Sequence, residues 1–143
     1  MERGRRVKVL IDTHYVLWAA INSKRMEAWA RKLLANLDNE ILVSAASVYE
    51  ISLKVRYGRL PGAVEFESDL VTNIEGGLGY TLLPLDPESM MRAARFEDPH
   101  ADPFDRMIAA QAIGNDLPVL SVDPRLDAFG VRRLSRSERE RNR

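Results

Sequence analysis

The stretch VKVLIDTHYVLW (residues 7–18) passes from an unbroken apolar run to an aspartate and then to a helical pattern. Because residues 7–11 are almost all apolar, they predict a short strand that is buried on both faces. The strand ends at Asp12, and residues 15–21 have the spacing of a short helix. A doubly buried strand is typical of a parallel sheet covered by helices.

Outward from this stretch, short apolar runs alternate with segments of helical spacing. Strands are predicted at residues 41–43, 80–83, 118–122 and, more briefly, 131–134, and helices at 24–37, 45–57, 63–75, 86–95 and 102–115. Ser23 and Ser44 are predicted N-caps, and Asp86 and Asp102 are N-caps followed by proline. The alternation predicts an α/β fold: one domain with a mainly parallel central sheet of four to five strands flanked by helices.

The composition is that of one globular domain. The 143 residues are 45% hydrophobic, which is enough for a single core. The absence of cysteine excludes disulfide scaffolds, cysteine nucleophiles and thiolate metal sites. No apolar run approaches the ~20 residues of a membrane span, and no glycine-rich phosphate-binding motif is present. We therefore expect a cytoplasmic protein without a membrane anchor or a nucleotide cofactor.

The formal charges balance, but they are unevenly distributed along the chain. Residues 1–6 form a basic N-terminal extension, residues 7–134 the predicted domain, and residues 135–143 an arginine-rich tail that we predict to be disordered. Such basic ends can attract phosphates. For a chain terminus, however, a solvated and frayed segment is the simpler interpretation.

Four acidic residues fall where the predicted fold would bring them together. Asp12 and Asp123 directly follow strands, Glu50 lies in the helix after the second strand, and Asp105 lies in the first turn of the helix that starts at Asp102. The carboxyl ends of parallel strands meet at one edge of the sheet, where ligands bind in open α/β folds. Carboxylates gathered there repel one another unless a cation neutralises them, and oxygen ligands suit Mg²⁺ or Mn²⁺.

Each acid also has an ordinary structural explanation. Asp12 can form a local turn, and Glu50 can pair with Lys54 one helical turn later. Asp105 can favour the positive end of its helix, and Asp123 can be a plain N-cap. Considered singly, these explanations are preferred for the last three acids. Considered together, the four indicate a metal site suited to phosphodiester hydrolysis by an activated water.

Five segments carry a resemblance to a known family. They are VLIDTHYVLW (9–18), VSAASVYEISLKVRYGRL (43–60), PLDPESMMRAA (84–94), DPFDRMIAAQA (102–112) and LPVLSVDPRL (117–126). In this order and spacing they resemble the PIN-domain ribonucleases, in particular the VapC-type toxins of bacterial toxin–antitoxin pairs. The resemblance covers about residues 7–134.

The resemblance implies roles for particular residues. Asp12, Glu50, Asp105 and Asp123 would form the catalytic acidic site, with Asp12 and Asp105 as direct metal ligands and Glu50 and Asp123 ligating directly or through water. Thr13 and Ser121 would hold a carboxylate or a water. Asp102 matches the pattern too, but we assign it to the helix N-cap. Arg106 is either a phosphate or carboxylate contact or a surface arginine, and the sequence does not choose between them.

The resemblance also implies a function and partners. The protein would be a Mg²⁺- or Mn²⁺-dependent endoribonuclease that cuts tRNA or another structured RNA, forms a homodimer and is inhibited by a cognate protein antitoxin. The alternative is a non-catalytic RNA- or protein-binding module of the same fold. His14 and Trp18 are interpreted as structural residues. Tyr15 and Trp29 are candidates for base stacking, although helical spacing favours a core or interface role for Trp29.

Overall fold

The fold is described from a computed structural model that covers residues 6–134 of the chain. The predicted N-terminal extension therefore lies outside the described residues except for Arg6, and the predicted tail lies wholly outside them. The strands are β1 (Lys8–Ile11), β2 (Glu40–Ser44), β3 (Thr81–Leu83) and β4 (Val119–Leu120). They form one parallel sheet in the order β3-β2-β1-β4, which confirms the predicted fold class.

The helices fill the intervals between the strands. They are α1 (Thr13–Ala20), α2 (Ala28–Ala35), α3 (Ala45–Arg56), α4 (Val64–Ser68), α5 (Leu70–Thr72), α6 (Pro87–Arg95) and α7 (Pro103–Gly114). A 3₁₀ turn (Pro61–Ala63) precedes α4, a π-helical turn (Asn73–Gly77) follows α5, and a second 3₁₀ turn (Pro124–Phe129) follows β4. Across residues 6–134, no helix has the length and apolar character that crossing a membrane requires.

The central strand β1 divides the core into two layers. Val9 and Ile11 face one layer, which α1, α2 and α3 cover, while Leu10 faces a second layer formed with α7. All three side chains are fully buried, as the unbroken apolar run predicts. From β1 the chain adds β2 and then β3 on one side of the sheet, whereas β4 pairs with β1 on the other side. The boundary between β1 and β4 is therefore the topological switch point, where open parallel sheets bind ligands.

Several predicted elements differ in the structure, among them the strand predicted at 118–122, which covers only Val119–Leu120. The helix predicted at 63–75 is broken at Asp69, whose non-helical backbone (φ −139°, ψ 56°) separates α4 from α5. The strand predicted at 131–134 is reduced to one bridge between Val119 and Arg133. The second helix begins at Ala28, so Ser23 does not cap it; the Ser23 hydroxyl instead accepts a hydrogen bond from the Arg25 N–H.

A buried glutamine ties α7 to the sheet. Gln111 is fully buried, and its side-chain oxygen accepts a hydrogen bond from the Ser44 hydroxyl at the end of β2. Its amide nitrogen donates to the carbonyl oxygen of Pro84 at 3.0 Å, just beyond β3. Because an unpaired buried amide is costly, these bonds fix the position of α7, and with it Asp105, relative to two strands.

Arg106 is half-buried, and its side chain contacts backbone carbonyls in the structure. Its guanidinium donates hydrogen bonds to five backbone carbonyls, those of Ala93, Ala94, Phe96, Asp98 and His100. The guanidinium carbon also lies 5.8 Å from the ring centres of Phe96 and Phe129. Arg106 is thus bound to backbone carbonyls and not to a carboxylate of residues 6–134, and it fixes the loop between α6 and α7.

We expect Arg106→Lys to destabilise the protein although the charge is kept. An ammonium group can reach one or two of the five carbonyls and leaves the others without their donor, so the free energy of unfolding should fall by about 2–4 kcal/mol. Urea denaturation measures this. The exposed Arg92 provides the control, because Arg92→Lys should change the same quantity by less than about 0.5 kcal/mol. Equal effects of the two substitutions would contradict the role of Arg106.

Candidate metal and catalytic site

Asp12 lies at the carboxyl end of β1 and caps α1. Its side chain accepts hydrogen bonds from the backbone N–H groups of Tyr15 at 3.1 Å and Val122 at 3.2 Å. Its own N–H donates to the Leu120 carbonyl at 2.9 Å, which holds it beside β4. Burial raises the pKa of Asp12, and hydrogen bonds from Ser121, Tyr15 and Val122 offset this only in part.

Glu50 lies on α3 and is held from two sides. The Thr13 hydroxyl donates to one carboxylate oxygen at 2.6 Å and also bonds the Ser47 hydroxyl at 2.9 Å. The Lys54 ammonium lies 2.6 Å from the other oxygen. Thr13 therefore holds a carboxylate, and Glu50 carries the helical ion pair with Lys54 in a nearly buried setting.

Asp105 and Asp123 meet around a histidine. The Nε2 atom of His100 lies 2.9 Å from Asp105 Oδ2 and 3.9 Å from Asp123 Oδ2. Burial raises the pKa of Asp105; the His100 contact lowers it, and the charges of Asp102 and Asp123 raise it further. The pKa of Asp123 is lowered, chiefly by its hydrogen bond with Arg125.

Two predicted supporting residues, Asp102 and Ser121, accept hydrogen bonds from backbone N–H groups close to them in the sequence. Asp102 is the N-cap of α7, since its carboxylate accepts from the N–H groups of Phe104 at 2.9 Å and Asp105 at 3.3 Å. The Ser121 hydroxyl accepts from the Asp123 N–H at 3.1 Å. The two residues orient the backbone that carries Asp105 and Asp123.

His100 is the site residue that the sequence did not single out. Its side chain is 7% exposed, and its ring stacks on Phe129 with centres 5.9 Å apart. The His100 carbonyl accepts a hydrogen bond from Arg106, and the His100 N–H donates one to the Asp98 side chain, each at 2.9 Å. The available sequence signal was its place in a loop two residues before the α7 N-cap. His14, the other histidine, is exposed, and Trp18 is half-buried against the first core layer.

The four acids differ in whether a basic side chain neutralises them. Glu50 pairs with Lys54, and Asp123 accepts a bidentate contact from Arg125. Within residues 6–134, no lysine or arginine nitrogen lies within 4.0 Å of the carboxylates of Asp12 or Asp105. Asp12 and Asp105 also have raised pKa values caused by burial. Asp12 is buried and Asp105 is half-buried, and theirs is the negative charge that a cation would stabilise most.

The donor atoms fit a divalent cation. In the described part of the chain, His100, Asp105 and Asp123 form the group of three whose ligand atoms all lie within 4.8 Å of one another. Asp12 and Glu50 do not join that group. Ligand atoms about 2.0–2.2 Å from one ion lie up to about 4.4 Å apart, and the His100 nitrogen lies 2.9 Å from Asp105 and 3.9 Å from Asp123, within that limit. Carboxylates with one imidazole suit Mn²⁺ as well as Mg²⁺.

Known proteins share this fold. The structure of FitAB bound to an IR36 DNA fragment aligns with a TM-score of 0.61 and 22% identity over 88% of this chain and 93% of that chain. The crystal structure of FitAcB from Neisseria gonorrhoeae aligns with a TM-score of 0.59 and 22% identity over 89% of this chain and 96% of that chain. No curated protein matches the sequence significantly. The PIN domain family matches residues 9–131, and the chain therefore belongs to that family.

Proposed function

We propose that this chain is a metal-dependent endoribonuclease that acts as the toxin of a toxin–antitoxin pair. PIN domains are generally nucleases, which gives the class of reaction. The observation that carries the proposal is a pair of carboxyls, buried Asp12 and half-buried Asp105, whose pKa values burial raises and which no lysine or arginine neutralises in the described residues. Their charge is best balanced by a bound cation, and oxygen donors select Mg²⁺ or Mn²⁺.

In this proposal each acid has a separate role. Asp105, which belongs to the group of three ligand atoms, binds the cation directly; the resemblance makes Asp12 a second direct ligand, although its carboxylate lies outside that group. Asp123 binds directly or through water, and it exchanges its contact with Arg125 to do so. Glu50, fixed by Thr13 and Lys54, orients a water at the edge of the site. When bound, Mg²⁺ or Mn²⁺ would lower the pKa of a water, and the charge of the ion would stabilise the scissile phosphate. No side-chain nucleophile is then required.

The substrate and partners in the proposal rest on the resemblance to VapC-type toxins. RNA, most simply tRNA or another structured RNA with an unpaired loop, is the proposed substrate. A cognate protein antitoxin and a second copy of the chain are the proposed protein partners. The acidic segment 60–105, with ten acids and two arginines, is complementary to a basic antitoxin peptide. Because a metal site of this kind can hydrolyse the phosphodiester bonds of either RNA or DNA, DNA is also tested as a substrate.

We expect Asp12→Asn to abolish cutting and to leave RNA binding largely intact. The neutral amide keeps the size of the side chain but removes its charge, so cutting in Mg²⁺ or Mn²⁺ should fall at least about 100-fold. Purified protein is incubated with total bacterial RNA and with single-stranded DNA, and the products are separated on sequencing gels.

Asp38→Asn is the matched control for Asp12→Asn. Asp38 is exposed and lies just before β2, at the opposite edge of the sheet, so its substitution should leave the cuts unchanged. EDTA should abolish the cuts of the unsubstituted protein. Cuts that persist in Asp12→Asn or in EDTA would contradict the metal-dependent mechanism. Cuts in DNA alone would contradict the substrate class, and the absence of any cut would favour the binding-module alternative.

Stability in the absence of metal should depend on pH in a way that identifies Asp12. Because its pKa is raised in the folded state, the folded protein holds that proton more tightly than the unfolded chain does. Stability is therefore lost as pH rises from the ordinary carboxyl range through the folded pKa. Asp12→Asn removes this loss, so its stability relative to the unsubstituted protein should increase between pH 4 and pH 7, as measured by urea denaturation in EDTA.

Asp123→Asn should show the opposite sign in the same titration. Hydrogen bonding with Arg125 lowers the pKa of Asp123, so the carboxylate stabilises the folded state once pH exceeds the ordinary carboxyl range. Its substitution should therefore become more costly as pH rises. If both variants follow the same trend, the charges of the site are arranged differently from those described here.

We expect His100→Gln to weaken Mn²⁺ binding more than Mg²⁺ binding. Imidazole nitrogen is a better ligand for Mn²⁺ than for Mg²⁺, and loss of a ligand or of its orienting partner weakens metal binding about tenfold or more. Calorimetric titration of each metal measures this without any substrate. His14→Gln is the control, because His14 is exposed and outside the group. An equal loss for both metals would show that His100 supports the carboxylates without ligating the ion.

A further inference from the structure

A cleft lies next to the chain segments that carry Asp12 and Asp123. Its volume is about 380 Å³, and it lies between α1, α2 and the end of β4. The side chains that define it are Tyr15, Trp18, Arg25, Glu27, Trp29 and Arg133. The acidic chemistry described above does not use these groups.

The cleft contains both tryptophans of the chain. Trp18 and Trp29 are each half-buried, so part of each indole faces the open space. Tyr15 packs edge-on against Trp18, with ring centres 5.3 Å apart, and fixes its orientation. Flat aromatic faces held by a folded core are the surfaces on which unpaired bases stack.

The charged groups of the cleft suit a nucleotide. The Arg25 guanidinium lies 6.0 Å from the centre of the Trp18 ring, and within residues 6–134 no carboxylate lies within ion-pair distance of it. It is therefore available to a phosphate. The two oxygens of Glu27 each accept from the Tyr15 hydroxyl at 3.0 Å, while burial and this contact raise the pKa of that hydroxyl and keep it protonated.

The cleft adjoins Asp12 through the backbone. Tyr15 and Val122 line the cleft, and their N–H groups are the two that bond the Asp12 carboxylate. Ser121, which also lines it, bonds the N–H of Asp123. These shared residues place the cleft next to the chain segments that carry Asp12 and Asp123.

We infer that this cleft is a subsite for an unpaired nucleobase next to the scissile phosphate, with Trp18 and Trp29 as stacking surfaces and Arg25 as a phosphate contact. The inference rests on the proposed nuclease function and specifies how substrate is held. It requires a single-stranded segment at the cut, because a base in a duplex cannot enter the cleft. A protein segment seated in the cleft is the competing occupant.

Tryptophan emission tests the subsite without cutting. In EDTA, the full-length protein is titrated with a single-stranded RNA hexamer and with an abasic hexamer of the same sugar-phosphate backbone. Because both tryptophans line the cleft, stacking should quench the emission with the first ligand and not with the second. Removal of the bases should weaken binding at least about fivefold.

Substitutions distinguish the subsite from general attraction to phosphate. Arg25→Gln should weaken hexamer binding several-fold, whereas Lys24→Gln, at an exposed neighbour outside the cleft, should change it much less. Trp29→Phe retains an aromatic face, so it should keep hexamer affinity while lowering the emission available to be quenched. Circular dichroism confirms that each variant is folded.

The outcomes separate the subsite from the nuclease proposal. Base-dependent quenching without cutting in Mg²⁺ or Mn²⁺ would support the subsite and refute the nuclease. Cutting with no quenching, or with equal quenching by both hexamers, would overturn the subsite and leave the nuclease standing. Emission that instead changes with protein concentration would assign the cleft to contact between copies of the chain and would also overturn the subsite.

Discussion

The free-energy cost of burying negative charge governs how the carboxyl edge of this sheet is built. Among the described residues, Glu50 pairs with Lys54 and Asp123 with Arg125, whereas the basic partner of Asp105 is the imidazole of His100. Asp12 accepts two backbone N–H groups, which stabilise a carboxylate less completely than a full positive charge does. In the described residues, Asp12 therefore has no basic side chain within 4.0 Å and Asp105 has only an imidazole, so a divalent cation would suit both carboxylates in sign and in donor type.

The sequence predicted the parts of the fold that rest on local patterns. The run at 7–11 and the cap-and-proline starts at Asp86 and Asp102 were correct because burial on both faces and N-cap chemistry act over a few residues. The helix predicted at 63–75 failed because its periodicity spans a break at Asp69 that periodicity does not reveal. The last strand failed because Val119 and Leu120 offer too short an edge for more than one bridge.

Of the residues in the candidate site, the sequence pattern could propose only the acids. Asp12 and Asp123 follow strands, and that placement alone sends them to one edge of the sheet. His100 and Arg106 could not be assigned, because their partners are set by tertiary packing. The sequence around Arg106 does not indicate that its side chain donates to five backbone carbonyls or lies beside two phenylalanine rings. A sequence motif identifies which residue types are present. The conformation of a loop depends instead on its contacts with residues that are distant in the sequence.

The same topology explains why the site depends on the whole domain. Asp12 comes from the first strand and Asp105 from the last long helix, and they share one edge only because β4 pairs with β1. That pairing is short, but the Leu10 N–H to Pro118 carbonyl bond and the Asp12 N–H to Leu120 carbonyl bond extend it to the site. The Val122 N–H then reaches the Asp12 carboxylate directly. A ligand that requires both halves of the site therefore binds the folded chain and not the unfolded one, so its binding free energy adds to the stability of the fold.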